Sequence, residues 1–250
     1  MSRTLLIDGD VMLYQHCLAV ETAFDWGDDI WTLHSDAREA KQLTDNWLAN
    51  LKEDLNASKV RVAFSDSKNF RKQVLPTYKY HRKAHRKPLA FHSVRDYVTE
   101  TYGSTVLPWV EADDVLGIWA TTPTKDENIV VTIDKDLLTV PGLHYNPNKP
   151  DEGVIEINEE TAKFNHFYQT LTGDSVDGYK GCPGIGPVSA KRILNKDCSW
   201  SAVVETFESA GMEEEQALVQ ARVARILHKH EYNFNKKEVK LWEPSIAVNS

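Results

Sequence analysis

The chain has 250 residues, 41% of them hydrophobic and 26% charged, with a formal net charge of −8. That length supports one sizeable core with a smaller unit attached, and no apolar run approaches the roughly 20 residues that span a bilayer. The start reaches a charge too soon for a signal-peptide apolar region. Its three cysteines, Cys17, Cys182 and Cys198, never form a C-x-x-C pair, which excludes a disulfide framework and a cysteine zinc site and points to a reducing cytoplasm.

Residues 3–7 read as a short buried strand stopped by Asp8-Gly9-Asp10, and residues 11–19 as a helix. Apolar residues at Ala40, Leu43, Trp47, Leu48, Leu51 and Leu55 carry helical spacing through residues 36–56. A second strand is expected at 60–64, ending on Ser65-Asp66-Ser67, and a third near 105–107. A helix over 112–121 precedes a very apolar fourth strand at 128–133, which ends on Asp134-Lys135-Asp136. A hairpin covers 143–157, and from Glu159 onward the pattern is almost entirely helical. Strands alternating with helices imply an α/β fold with a mainly parallel central sheet flanked by helices. The expected division is an α/β catalytic domain over 1–158 and a helical lobe over 159–250.

Charge is unevenly spread. Residues 67–95 hold nine basic side chains and no acid, so the other 20 Lys and Arg face all 37 Asp and Glu elsewhere. A basic segment on an acidic body suits a polyanion gripped in one place, with a solvated surface loop as the lesser alternative. The acids fall at element ends: Asp8, Asp66, then Asp134 and Asp136 after strands, with Glu111, Asp113 and Asp114 at a helix start. Ligands bind at the carboxyl ends of parallel strands, so these stretches can aim carboxylates into one crevice. Such crowding repels unless divalent cations neutralise it, and oxygen-only ligands suit Mg²⁺ or Mn²⁺. Taken singly, Asp8-Gly9-Asp10 could be only a turn, and residues 111–114 an ordinary acidic helix start.

Residues 173–187 contain five glycines and two prolines, which forbid a continuous helix. Pro187 is placed to open a helix over 188–194, and backbone N–H groups freed by the glycines can cradle a phosphate. Lys191 and Arg192 lie one turn further on, and Asp174 and Asp177 add a second pair of carboxylates beside the turn.

The ordered set Asp8, Asp66, Glu111-x-Asp113-Asp114, Asp134-x-Asp136, Asp174-x-x-Asp177, then Gly184-Ile185-Gly186-Pro187, resembles the flap endonuclease/5′-to-3′ exonuclease family. Ser65-Asp66-Ser67, Tyr78-Lys79-x-x-Arg82 and Glu231-Tyr232-Asn233-Phe234 look especially like the 5′-to-3′ exonucleases of short-tailed bacteriophages. The resemblance implies a PIN-like sheet domain with a two-metal site, a basic arch over 68–95, and a helix–turn–helix over 173–195. It implies that Asp8, Asp66, Glu111, Asp113 and Asp114 hold or orient one Mg²⁺ ion, and that Asp134, Asp136, Asp174 and Asp177 serve a second. Mn²⁺ would substitute, with K⁺ at the glycine-rich turn. Lys79 and Arg82 would contact the scissile phosphate. Lys68, Arg71, Lys72, Tyr78, Lys83, Arg86, Lys87, Gly184, Gly186, Lys191 and Arg192 would contact nucleic acid. Asp10 has no secure counterpart in the pattern. The implied substrates are duplex DNA with 5′ ends or flaps, and RNA–DNA hybrid. The expected setting is a monomer in the host cytoplasm, in phage DNA replication or host-DNA degradation. Two other readings stand beside this one: a haloacid-dehalogenase-type phosphatase, since Asp8-Gly9-Asp10-Val11 fits its nucleophile loop, and an inactive branched-DNA-binding protein.

Overall fold

Strand β1 (Arg3–Asp8) is apolar on both faces because it lies in the middle of the sheet. Leu5 and Ile7 point into one core and Leu6 into the other, all at 0–1% exposure. The computed structural model describes residues 2–81 and 86–244. In chain order β1 is followed by α1 (Gly9–Ala19), β2 (Glu21–Asp25), β3 (Trp31–Ser35), α2 (Ala37–Asp54) and β4 (Lys59–Ala63). Next come α3 (Arg71–Val74), α4 (Phe91–Tyr102), β5 (Ser104–Thr105), α5 (Ala112–Ala120) and β6 (Glu127–Val131). A 3-10 turn at Lys135–Thr139 leads to β7 (Gly142–Tyr145) and β8 (Val154–Ile157). The helices α6 (Glu159–Thr172), α7 (Pro187–Lys196), α8 (Trp200–Ser209) and α9 (Glu214–Ala224) follow, then a ribbon of β9 (Tyr232–Asn233) and β10 (Glu238–Val239).

The sheet order is β5-β4-β1-β6-β7-β8, parallel throughout except for β8, which returns antiparallel to β7. One face is covered by α1, α2 and α4 through Leu13, Leu48, Val94 and Val98. The other is covered by α5 through Val115, Leu116 and Ile118. A third core, built on Phe167, Leu171, Leu194, Val203 and Phe207, holds the helical lobe together.

One feature is absent from the sequence reading. Residues 21–35 form an exposed two-stranded hairpin, turned by Gly27, Asp28 and Asp29, all at positive φ. Within the basic stretch 68–95, the described residues form α3, a following turn and the first residues of α4. Beyond α9, Ile226, Leu227 and Tyr232 pack into the α5 core, and the Tyr232 hydroxyl donates to the Pro108 carbonyl (3.3 Å).

The turn after α6 depends on Gly173. It has φ +68°, and a Cβ there would stand 2.3 Å from the Lys180 carbonyl carbon and 2.5 Å from the Gly181 nitrogen. Because the obstacles are backbone, no rotamer change relieves them. Gly173→Ala is expected to cost roughly 2–4 kcal/mol of stability in urea unfolding; a cost near zero would mean that the turn is not held as described.

Candidate active site

Each carboxylate of the site is placed by a cap or a turn. Asp8 ends β1 and caps α1, its Oδ1 accepting from the Asp10 and Val11 N–H groups (2.8 and 3.0 Å). Gly9 permits this, since a Cβ would meet the Phe64 ring at 2.4 Å and the Ala63 carbonyl at 2.8 Å. Asp10 Oδ2 accepts from the Ser65 N–H (2.7 Å), and Ser65 Oγ accepts from Ala112 N–H (3.0 Å), which ties the ends of β1 and β4 to the start of α5. Glu111 caps α5, with Asp113 in the first turn. Asp134 caps the 3-10 turn and accepts from the Asp136 N–H (2.9 Å), while Asp136 Oδ1 accepts from Gln169 Nε2 (2.8 Å). Asp174 Oδ1 accepts from the Val176 and Asp177 N–H groups (2.7 and 3.2 Å), closing the turn that presents Asp177.

Asp8, Asp10, Glu111, Asp113, Asp134, Asp136 and Asp177 together line a cleft of ≈ 160 Å³ at the carboxyl ends of the strands. Lys79 stands on its wall. Its Nζ lies 2.8 Å from Glu111 Oε1 and 3.5 Å from Asp177 Oδ2. Lys79 has φ +50°, a strained conformation for a side-chain-bearing residue, held by its N–H donating to the Asp177 carbonyl (2.8 Å). The aim of this ammonium is therefore built into the backbone.

Two cations on the cleft wall, Lys79 and Arg71, do not balance seven carboxyl groups. Burial, then the charge of Asp10, pushes Asp8 up to about 7. Burial, then the charges of Asp134, Asp177 and Asp174, pushes Asp136 up to about 7. Asp113 is driven well above the usual carboxylate range by burial and by Asp8 and Asp134. Its Oδ1 is buried without a hydrogen-bond partner. Glu111 goes the other way: burial opposes its charge, but Lys79 and Arg71 outweigh this and hold it down to about 2. A crowded set of hard oxygen donors with one orphaned oxygen fits a divalent cation such as Mg²⁺ or Mn²⁺. Among the described residues no three groups already close into a ligand cage, so the fit rests on charge and on the Asp113 oxygen.

The predicted residues separate into groups. Asp8, Glu111, Asp113, Asp134, Asp136, Asp177 and Lys79 meet in the cleft. Asp66 does not line it. Burial opposes its charge, but the N–H groups of Trp109 (2.8 Å) and Ser67 (2.7 Å) hold its carboxyl below the usual range, and it fixes Trp109 at φ +70°. Asp114 is turned inward, with no exposed surface, onto Arg71 (2.7 Å). Asp174 lies behind Asp177, with Lys135 Nζ at 3.2 Å. Arg71 and Tyr78 are buried at 1% and 2% exposure, so neither is a surface contact for nucleic acid. Lys68, Lys72, Lys87, Lys191 and Arg192 are exposed, as are Gly184 and Gly186, whereas Arg86 is exposed but paired with Glu21. Arg82 and Lys83 lie outside the described residues. Sequence reasoning passed over Asp10, although its place two residues after Asp8, inside the first turn of a helix, was the available signal. Tyr179, buried on the cleft wall, gave none.

A mainly parallel α/β sheet carrying an acidic cleft at its strand ends defines a PIN-like nuclease fold. Residues 3–161 match the family described as "5′-3′ exonuclease, N-terminal resolvase-like domain", and the chain belongs to that family. The exonuclease of Escherichia phage T7 is 29% identical over a gapped alignment of 281 positions that covers 96% of this chain and 93% of that one. The flap endonuclease Xni of Shewanella baltica is 28% identical over 177 residues, 66% of this chain and 67% of that one. Among solved structures, the bacteriophage T5 flap endonuclease in a pseudo-enzyme–product complex with DNA and metal ions has the same fold. It aligns at TM-score 0.67 and 13% identity, over 89% of this chain and 88% of that one. The chain is thus an enzyme of the 5′-3′ exonuclease/flap endonuclease class, and the dehalogenase-type phosphatase reading of Asp8-Gly9-Asp10-Val11 falls away. No helix among the described residues is long and apolar enough to cross a membrane.

Proposed function

We propose that the protein is a metal-dependent 5′-to-3′ exonuclease that hydrolyses duplex DNA and RNA–DNA hybrids from 5′ ends or flaps, leaving 5′ phosphates. The observation that carries the metal dependence is the acidic cleft itself: Asp8, Asp113 and Asp136 resist ionisation together, and Asp113 Oδ1 lacks a partner. Asp8, Glu111, Asp113, Asp134, Asp136 and Asp177 would hold two Mg²⁺ ions, with Asp10 and Asp174 supporting the set. Bound there, the ions would supply an acidified water and a counter-charge for the leaving 3′ oxygen. Lys79 would neutralise charge on the phosphoryl oxygens and position the phosphate against the carboxylates, as would Arg82 in the neighbouring stretch. Exposed Lys68, Lys72, Lys87, Lys191 and Arg192, with Lys83 and Arg86, would hold the duplex backbone. Gly184 and Gly186, just before α7, would meet a phosphate with K⁺ as counter-ion. Such contacts are to phosphate and sugar, so binding would show little sequence preference and a strong salt dependence. A monomer acting in a host cytoplasm during phage DNA replication or host-DNA breakdown fits this chemistry.

The decisive experiment is a duplex labelled separately at its 5′ and 3′ ends, incubated with Mg²⁺ or with EDTA. Early release of 5′-terminal products with Mg²⁺ alone is expected. No cleavage of blunt, flapped or hybrid substrates with Mg²⁺ or Mn²⁺ would leave only a binder of branched DNA. Lys79→Met should slow cleavage by roughly 10²–10³-fold. Its affinity for duplex in EDTA, read by fluorescence anisotropy, should change far less; a parallel loss of both would make Lys79 a binding residue only.

A further inference from the structure

Arg71 opens α3 from inside the protein, and every N–H of its guanidinium is used. Nε donates to the Val223 carbonyl (2.8 Å). Nη1 donates to Asp114 Oδ2 (2.7 Å) and reaches Glu111 Oε2 (3.5 Å). Nη2 donates to Asp114 Oδ1 (2.7 Å) and to the Arg225 carbonyl (2.5 Å). Tyr78, in the turn after α3, packs its ring against this guanidinium, 5.8 Å from ring centre to the Arg71 Cζ. Its hydroxyl lies 2.8 Å from Glu111 Oε2 and 3.0 Å from Asp177 Oδ2. Arg71 and Tyr78 therefore converge on one oxygen of Glu111, while Lys79 holds the other.

We infer that Arg71 and Tyr78 are positioning residues: a buried clamp that fixes the Glu111 carboxylate for metal binding and joins it to the end of α9. This rests on the metal-dependent reading above. A helix-capping glutamate can ordinarily rotate toward solvent. Here α3 and its following turn bind both of its oxygens, and groups that orient a metal-binding carboxylate matter nearly as much as the ligand itself. A buried ion pair is a poor stabilising device, since apolar residues of equal volume often do as well. Asp114 and the two carbonyls alone would satisfy most of the guanidinium, yet it also faces Glu111 on the cleft wall. The Val223 and Arg225 carbonyls lie at the C-terminal end of α9, so one side chain links the helical lobe to the carboxylate that faces the substrate.

The test compares the wild-type protein with Arg71→Lys and Tyr78→Phe in three measurements: Mn²⁺ affinity by calorimetry without DNA, kcat and KM on the 5′-labelled duplex, and thermal melting in EDTA. Well below its melting temperature, Arg71→Lys is expected to lose roughly tenfold or more in Mn²⁺ affinity and in kcat. KM for the duplex should stay within about threefold of wild type, because the clamp touches no DNA. Tyr78→Phe should shift the same two quantities in the same direction by a few-fold. A clamp that is only structural would lower the melting temperature of Arg71→Lys and leave Mn²⁺ affinity and kcat unchanged, and that result overturns the inference. Should Arg71→Lys not fold, unchanged Mn²⁺ affinity and kcat in Tyr78→Phe overturn it instead. A wild-type protein that cleaves nothing sinks the nuclease reading, and the Mn²⁺ affinities then decide the clamp separately.

Discussion

Asp113→Asn is expected to cut a 5′-labelled duplex at least about 10³-fold more slowly than wild type at saturating Mg²⁺, because a ligand to the proposed ions would lower the barrier by several kcal/mol. Asp113 is where the repulsions of the cleft meet. Burial and the charges of Asp8, Asp134 and Glu111 all act against ionisation of its carboxyl, with Lys79 opposing them, and its Oδ1 is buried without a hydrogen-bond partner. Asparagine keeps the shape and removes the charge. The variant should therefore fold at least as well as wild type without metal, and should hold DNA in EDTA as tightly or more tightly, since one anion facing the phosphates is gone. Single-turnover cleavage, anisotropy binding and melting separate the three effects. Near-normal cleavage would remove Asp113 from the chemistry. A collapse of melting temperature would show instead that its carboxylate is structural, as the inward-facing Asp114 is.

The strands and most helices of the sheet domain were legible because their patterns are local. Leu5-Leu6-Ile7 is apolar without a break since β1 is covered on both sides, and Pro187 opens α7 at its first residue as the sequence suggested. Asp8, Glu111, Asp113, Asp134 and Asp136 could be gathered in advance because strand ends and helix starts share one edge of a parallel sheet. What the sequence could not show was direction. Asp113 and Asp114 are neighbours, yet successive helix positions point about 100° apart, so one carboxyl faces the cleft and the other faces Arg71. Arg71, Lys72 and Lys79 read alike in a basic run, and only packing distinguishes a buried clamp, an exposed lysine and a cleft cation. The β2–β3 hairpin stayed hidden for another reason: its apolar side chains Phe24, Trp26, Ile30 and Trp31 are exposed, so its pattern points to no core.

The metal-free protein should be less stable at alkaline than at mildly acidic pH, the reverse of the usual carboxylate contribution, and Mg²⁺ should remove the difference. Asp8 and Asp136 each carry a folded-state pKa of about 7 against an ordinary 3.8. Below about pH 4 these groups are protonated in both folded and unfolded chains and add no penalty. As pH rises from there to 7, the unfolded chain releases protons that the folded chain retains, so stability falls, and the fall levels off above 7. At about 1.4 kcal/mol per unit, buried Asp8 alone corresponds to an upper bound of about 4 kcal/mol. Glu111 acts in the opposite sense. Its folded value of about 2 lies below the ordinary 4.5, so its contribution is present above that range and disappears as pH falls toward 2. Together these groups place the stability maximum in EDTA just below about pH 4, with a decline toward neutrality. A bound divalent ion requires the ionised carboxylates, and its own stabilisation grows with occupancy, about 2.7 kcal/mol at a hundredfold excess over Kd. The gap between melting temperatures in Mg²⁺ and in EDTA should therefore widen steadily from about pH 5 to pH 8. Melting curves that rise with pH in EDTA, or a gap that stays constant across that range, would mean that the cleft carboxyl groups do not repel one another as their burial and spacing require.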